Sequence, residues 1–208
     1  MQLERRSNRF AMEVRAASDK PRVITGYAAV FYRADDPATE FQLWEKCVER
    51  IHPGAFDAAL REDDVRALFD HRSERVLGRR QPGSTSPTLR LSVDERGLKY
   101  EVDLPDDELG LAQKIERGDI TGSSFGFMVE TAWGAKRGRV TWEEHNGLMI
   151  RNVYDLELID VGPVTFPAYA GATAESRSAL LATVPTPQAT QDELADRLLL
   201  VSSELALS

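Results

Sequence analysis

Cysteine is nearly absent. Cys47 is the only one in 208 residues, so no disulfide can form within the chain, as suits a reducing compartment. No run of about 18 apolar residues occurs, which excludes a transmembrane helix, and Met1 to Phe10 lacks the apolar core of a signal peptide. Positive charge is also scarce: 26 Lys and Arg face 34 Asp and Glu, for a net charge of -8. Phosphate binding needs concentrated basic residues, so nucleic acid is excluded as the main partner. The local cluster Arg72, Arg75, Arg79 and Arg80 is the exception, and it reads as a solvated, ion-paired face. Histidines number three. With no H-E-x-x-H and no Cys pair, no metal site is expected, and no cofactor. Internal repeats are absent.

What is present is alternation. An apolar fraction of 42% and a charged fraction of 29% describe a soluble globular protein, long enough for one well-buried domain with a tail or at most two small domains. Val23 to Tyr32 reads as a strand, and Phe41 to Ile51 as another, broken by charge and on an edge. Pro53 opens a short helix through about Arg61. Val65 to Phe69 is a buried strand that delivers His71 at its end. Thr88 to Val93 and Leu98 to Leu104 form a hairpin around Asp94–Gly97. Asp106 to Arg117 has helical spacing, with Gly118 as its stop. Ile120 to Ala132 returns to strand. Val140 to Glu144 and Leu148 to Val161 make a second hairpin through His145-Asn146-Gly147.

After Tyr169 the composition shifts to Ala, Thr, Ser and Pro. The division is a domain over 1–169, with its core from about residue 22, a linker over 170–190, and an amphipathic helix over 191–208 carrying Leu194, Leu198, Val201 and Leu205. That helix packs either on its own domain or on a partner. Many strands, few helices and no βαβ alternation give an α+β class built on a mainly antiparallel sheet or barrel.

Three segments supply the groups of a serine nucleophile: Gly118 to Phe127, Asp70-His71-Arg72 and Leu158-Ile159-Asp160-Val161. A hydroxyl needs a base to take its proton, and the base works best when a third group orients it. Gly122-Ser123-Ser124-Phe125-Gly126 matches G-x-S-x-G, but the nucleophile elbow of α/β-hydrolases requires a helix after the serine and the histidine last in the chain. Here a strand follows and the histidine comes first, so that reading fails. Among the histidines, His145 belongs to a turn and His52 to an extended segment before Pro53. His71, at the end of an apolar strand, is the candidate base.

The chain resembles the prohead (capsid maturation) serine proteases of tailed phages, relatives in fold of the herpesvirus assemblin proteases. The resemblance rests on ordered blocks: Gly26–Phe31, Glu49–Phe56, Asp70-His71-Arg72 with Val76–Arg79, Asp94–Leu98, Gly122–Phe127, and Leu158–Ala168. It spans roughly Val23 to Tyr169. It implies an assemblin-like fold and the catalytic set His71, Ser124 and Asp160. Ser123 forms an ambiguous pair with Ser124, which is chosen by register. The acid is often Glu in the family, so Glu157 and Asp155 stand as substitutes for Asp160. Strand alternation puts Asp160 and Leu158 on one face and Glu157 and Ile159 on the other.

The implied activity is a serine endopeptidase that cleaves scaffolding protein or the scaffold segment of the major capsid protein, and itself, within the assembling procapsid in the host cytoplasm. A homo-oligomer such as a dimer is expected, with no membrane partner. Two other readings stay open: a non-catalytic procapsid scaffold module of the same fold, and a different serine hydrolase such as an esterase.

Overall fold

Residues 3–9, 12–17, 20–129 and 136–167 are described by a computed structural model. The linker expected at 170–190 and the helix expected at 191–208 lie outside them. The strands are β1 (Glu4–Asn8), β2 (Glu13–Ala17), β3 (Lys20–Val30), β4 (Phe41–Trp44), β5 (Cys47–Ile51), β6 (Val65–Leu68), β7 (Val76–Arg80), β8 (Leu89–Val93), β9 (Gly97–Asp103), β10 (Gly122–Met128), β11 (Arg139–His145), β12 (Leu148–Asp155) and β13 (Glu157–Val164). The helices are α1 (Ala59–Glu62) and α2 (Leu109–Glu116). A mostly β chain with few helices is compatible with the α+β class.

The expected barrel is not closed. Among the described residues the strands form three sheets, ordered β1-β10-β13-β6-β7, β11-β12-β5-β4 and β2-β3-β9-β8. In the first, β1 and β7 stay at opposite edges. Pairing is mainly antiparallel, with β13 parallel to β6 and β12 parallel to β5.

Alternation located β3, β6, β8, β9 and β10 because each has an apolar face to bury. Elsewhere the structure departs from expectation. Phe41 to Ile51 is two strands, because Lys46 turns left-handed at φ 58 and folds β4 back on β5. Only β4 is an edge; β5 lies between β12 and β4. Leu148 to Val161 is likewise broken: at buried Leu156, whose N–H donates to its neighbour Asp155, the chain passes from one sheet to another. The helix expected from Pro53 is mostly turn, and α1 begins at Ala59.

One core joins the sheets. Phe31, Phe56, Tyr100, Phe125, Phe127, Leu156 and Leu158 are all buried in it. Phe125 and Phe127 stack with ring centroids 5.1 Å apart, and Phe56 meets Phe125 edge-on. Each such side chain contributes about 1.5–3 kcal/mol by leaving water. The aromatic face of β10 is therefore anchored, which fixes where its other face points.

Candidate active site

Successive strand residues face opposite ways, and β10 separates its two serines accordingly. Ser123 shares a face with Phe125 and Phe127. It is fully buried, and its Oγ lies 3.0 Å from the Tyr100 hydroxyl. Ser124 and Gly126 take the other face.

Across from them runs β13, with Gly162 opposite Ser124 and Asp160 opposite Gly126. The register then slips, so that Leu158 rather than Ile159 lies opposite Phe127. Ile159 is the extra residue of a β-bulge, a device that re-aims neighbouring side chains. Directly opposite residues share a face, so Leu158 joins the core while Asp160 turns to the Ser124 side. The expectation that these two share a face is thus corrected, because the bulge breaks the alternation it assumed. The glycines clear the space above the sheet. A Cβ on Gly126 would sit 2.5 Å from Asp160 Oδ2, and one on Gly162 would collide with the Leu68 carbonyl.

Beyond β13, β6 carries the chain to Asp70 and His71, both left-handed at φ 53 and φ 56. Consecutive left-handed non-glycine residues are strained and persist only where surrounding contacts hold them. The Asp70 carboxylate supplies that hold. It accepts from the Thr165 N–H at 2.6 Å and the Thr165 hydroxyl at 2.8 Å, while the Asp70 N–H donates to the Pro163 carbonyl at 3.0 Å. The turn is thereby stapled to the end of β13, and His71 reaches back over the sheet.

His71 bridges the other two groups. Its Nδ1 is hydrogen-bonded to Asp160 Oδ1, and its Nε2 lies 2.6 Å from Ser124 Oγ. With Nδ1–H donating to the carboxylate, Nε2 is the acceptor for the serine proton. Ser124 is 2% and Asp160 3% exposed, and the imidazole is 11% exposed. The serine hydroxyl has a second acceptor, the backbone carbonyl of Arg6 in β1 at 2.8 Å. A base, an oriented hydroxyl and a buried acid in this order can carry acyl transfer.

The alternative acids lie elsewhere. Glu157 accepts from the Lys136 N–H at 2.8 Å, and Asp155 accepts from the Leu156 N–H. His52 stacks on Tyr154 and lies 2.7 Å from Asn152 Oδ1, joining β5 to β12. His145 sits in the β11–β12 turn beside Asn146. The arginine cluster is ion-paired or bonded throughout: Arg72 with Glu74, Arg75 with Glu108, Arg79 with Asp64, and Arg80 with the Leu60 carbonyl. Among the described residues no group of three or more His, Cys, Asp or Glu could hold a metal ion, and no helix is long and apolar enough to cross a membrane.

Sequence reasoning missed three contributors. Gly126 belongs to the Gly122–Phe127 block, but its clearance for Asp160 is visible only in the register. Asp70 and Thr165 are far apart in sequence, and nothing local signals their pairing. β1 escaped because Glu4 to Asn8 contains no apolar residue. It pairs with β10 and brings Glu4 and Arg6 to the buried Glu49 and Arg151. Arg151 donates to Glu4 at 2.6 and 2.8 Å and also to Glu49, and Arg6 donates to Glu49 at 2.6 and 3.0 Å and to Glu4 at 2.8 Å. Burial alone would raise the Glu4 carboxyl, but Arg151 and Arg6 hold it below the ordinary value. The Arg151 guanidinium, although burial opposes its charge, is shifted up by Glu49 and Glu4.

The fold and the Ser–His–Asp contact describe a hydrolase-like site on an open, mostly β framework. Residues 10–186 match the caudovirus prohead serine protease family, Peptidase_S78, and the chain belongs to that family of serine peptidases. The matched region contains His71, Ser124 and Asp160 and begins after β1. No curated protein and no solved structure matches the chain.

Proposed function

We propose that the protein is a serine endopeptidase whose nucleophile, base and acid are Ser124, His71 and Asp160. The observation that carries this reading is His71, with one ring nitrogen on Asp160 and the other on Ser124 Oγ. In the reaction, Nε2 takes the hydroxyl proton as Oγ bonds to the scissile carbonyl carbon. Asp160 stabilises the imidazolium, which then protonates the leaving amine as the C–N bond breaks. Water attacks the acyl-enzyme by the same route and restores the serine.

The substrates are scaffolding protein or the scaffold segment of the major capsid protein, and the enzyme itself, inside a procapsid assembling in the host cytoplasm. Confinement in a shell raises local concentration and relaxes the affinity needed. An assemblin-like fold, self-association, a protease domain over 1–169, a linker over 170–190 and a partner-binding helix over 191–208 belong to the same reading. Co-expression with capsid and scaffolding proteins, followed by mass spectrometry of the processed chains, tests it. Ser124→Ala should abolish cleavage with the fold intact, and Ser123→Ala should reduce it less. Processing that survives Ser124→Ala would leave a scaffold module as the better description, and ester turnover without peptide cleavage would leave an esterase.

A further inference from the structure

The nucleophile is covered. Ser124 is 2% exposed, and the carbonyl that reaches its Oγ belongs to Arg6 of the chain's own β1. That group presents its oxygen as a hydrogen-bond acceptor rather than its carbon to attack. It also competes with His71 Nε2 for the single hydroxyl proton. β1 is an extended peptide added to the edge of the serine-bearing strand, antiparallel, with Ser7 opposite Ser124 and Arg6 opposite Phe125. Peptides dock on sheet edges in this way, main chain giving affinity and alternate side chains giving specificity.

The alternate side chains of β1 are read by charge. Glu4 and Arg6 point to the core side, where Glu49 and Arg151 are 0% and 1% exposed. The four charges give one neutral pair on each side of the strand boundary, and the two pairs are joined across it by Arg6 to Glu49 and Arg151 to Glu4. Arg6 bonds Glu4 within β1 at 2.8 Å, and Arg151 bonds Glu49 within the body. A buried charge that loses its partner is costly, but a departing β1 takes its own pair and leaves the other matched. The arrangement therefore tolerates exchange of one strand for another with the same charge order.

We propose, on the basis of the role assigned to Ser124, that the edge of β10 is the peptide-binding slot, filled here by Glu4–Asn8 as an internal pseudo-substrate. Glu49 and Arg151 select an extended peptide with a carboxylate two residues ahead of a guanidinium. The guanidinium residue supplies the carbonyl that meets Ser124. The substrate is then a peptide of acidic–any–basic pattern, and access to Ser124 requires β1 to leave.

The test uses the full-length chain as wild type, Arg6→Ala and Glu4→Ala/Arg6→Ala. A fluorophosphonate reports the rate of Ser124 labelling. A fluorescent free peptide copying residues 3–9 reports binding by anisotropy, beside the same peptide with alanine at the positions of Glu4 and Arg6. Labelling should accelerate about tenfold or more in the double variant, the change that about 1.4 kcal/mol of lost attachment produces, and at least as much in Arg6→Ala, which leaves two carboxylates on one guanidinium. The copied peptide should bind the double variant and slow its labelling, and the alanine peptide should do neither. Equal labelling in all forms overturns the proposal and leaves the serine's role standing, as does an absence of peptide binding up to about millimolar concentration. Peptide binding without labelling of Ser124 in any form retains the slot and overturns the nucleophile assignment. If melting shows the double variant unfolded, Arg6→Ala alone decides: faster labelling supports the slot, and an unchanged rate rejects it.

Discussion

On one edge of β10 lies β13, on the other β1. Apart from Glu157 and Asp160, β13 is apolar residues and glycine, and most of it is buried. β1 is Glu-Arg-Arg-Ser-Asn, held by charge pairs and by Asn8, whose amide donates to the Tyr27 and Ala28 carbonyls at 2.9 Å. Apolar burial is non-directional and adds up residue by residue. Charge pairing in the core is conditional: matched charges are tolerated, and stranding one costs about 3–5 kcal/mol. The β13 side is thus a fixed floor that aims Asp160. The β1 side is a specific attachment that depends on every partner.

The β13 side breaks most severely at its acid. Asp160→Asn should lower kcat/KM on a capsid-derived peptide by about 10⁴-fold, the loss seen when the acid of a serine triad is neutralised. Glu157→Gln should change it little, because Glu157 bonds the Lys136 N–H and not His71. Comparable rates for Asp160→Asn and wild type would move the third role elsewhere or reduce the triad to a dyad.

Next comes Gly126→Ala, which removes no catalytic group but pushes a methyl to 2.5 Å from Asp160 Oδ2. Displacing the carboxylate by a fraction of an ångström to an ångström should cost up to about 10²-fold in turnover. Peptide binding should be preserved. An equal loss in binding would mean that the substitution disturbs β10 as a whole, and that the glycine serves the strand rather than the acid.

The same contrast explains what could be read from the sequence. Where a strand buries an apolar face, as β3, β6, β9 and β10 do, alternation exposes it. The ordered blocks around His71, Ser124 and Asp160 located three groups that the fold brings into contact. Alternation assumes an uninterrupted pleat, so it failed at the Ile159 bulge and at the Leu156 break, where one residue changes the face or the sheet. Charge patterning was the other blind spot. β7, which begins with exposed Val76 and ends in Arg79 and Arg80, and β1, with no apolar residue, carry no periodic signal. Their ionic partners, Asp64 for one and Glu49 and Arg151 for the other, are distant in sequence. Long-range ion pairing has no local pattern to read.

The smallest expected effect concerns the β1 side alone. Despite burial, Arg151 and Arg6 hold the Glu4 carboxyl below its ordinary value of 4.5. A carboxyl lowered in the folded state binds protons more readily when released. It therefore contributes stability that is complete above the unfolded value and is lost as pH falls through the folded one. Acidification below about pH 4.5 should loosen β1 before it disturbs the β13 edge. Amide hydrogen exchange, corrected for intrinsic rates, should show protection of residues 4–8 declining through that window while protection of β13 persists. In Glu4→Gln the neutral amide cannot titrate. Protection of β1 should be lower than in wild type at pH 7, and the two proteins should converge in acid. Parallel curves for wild type and Glu4→Gln across the whole range would show that Glu4 ionisation does not hold the strand, and the two edges of β10 would then differ less than their sequences suggest.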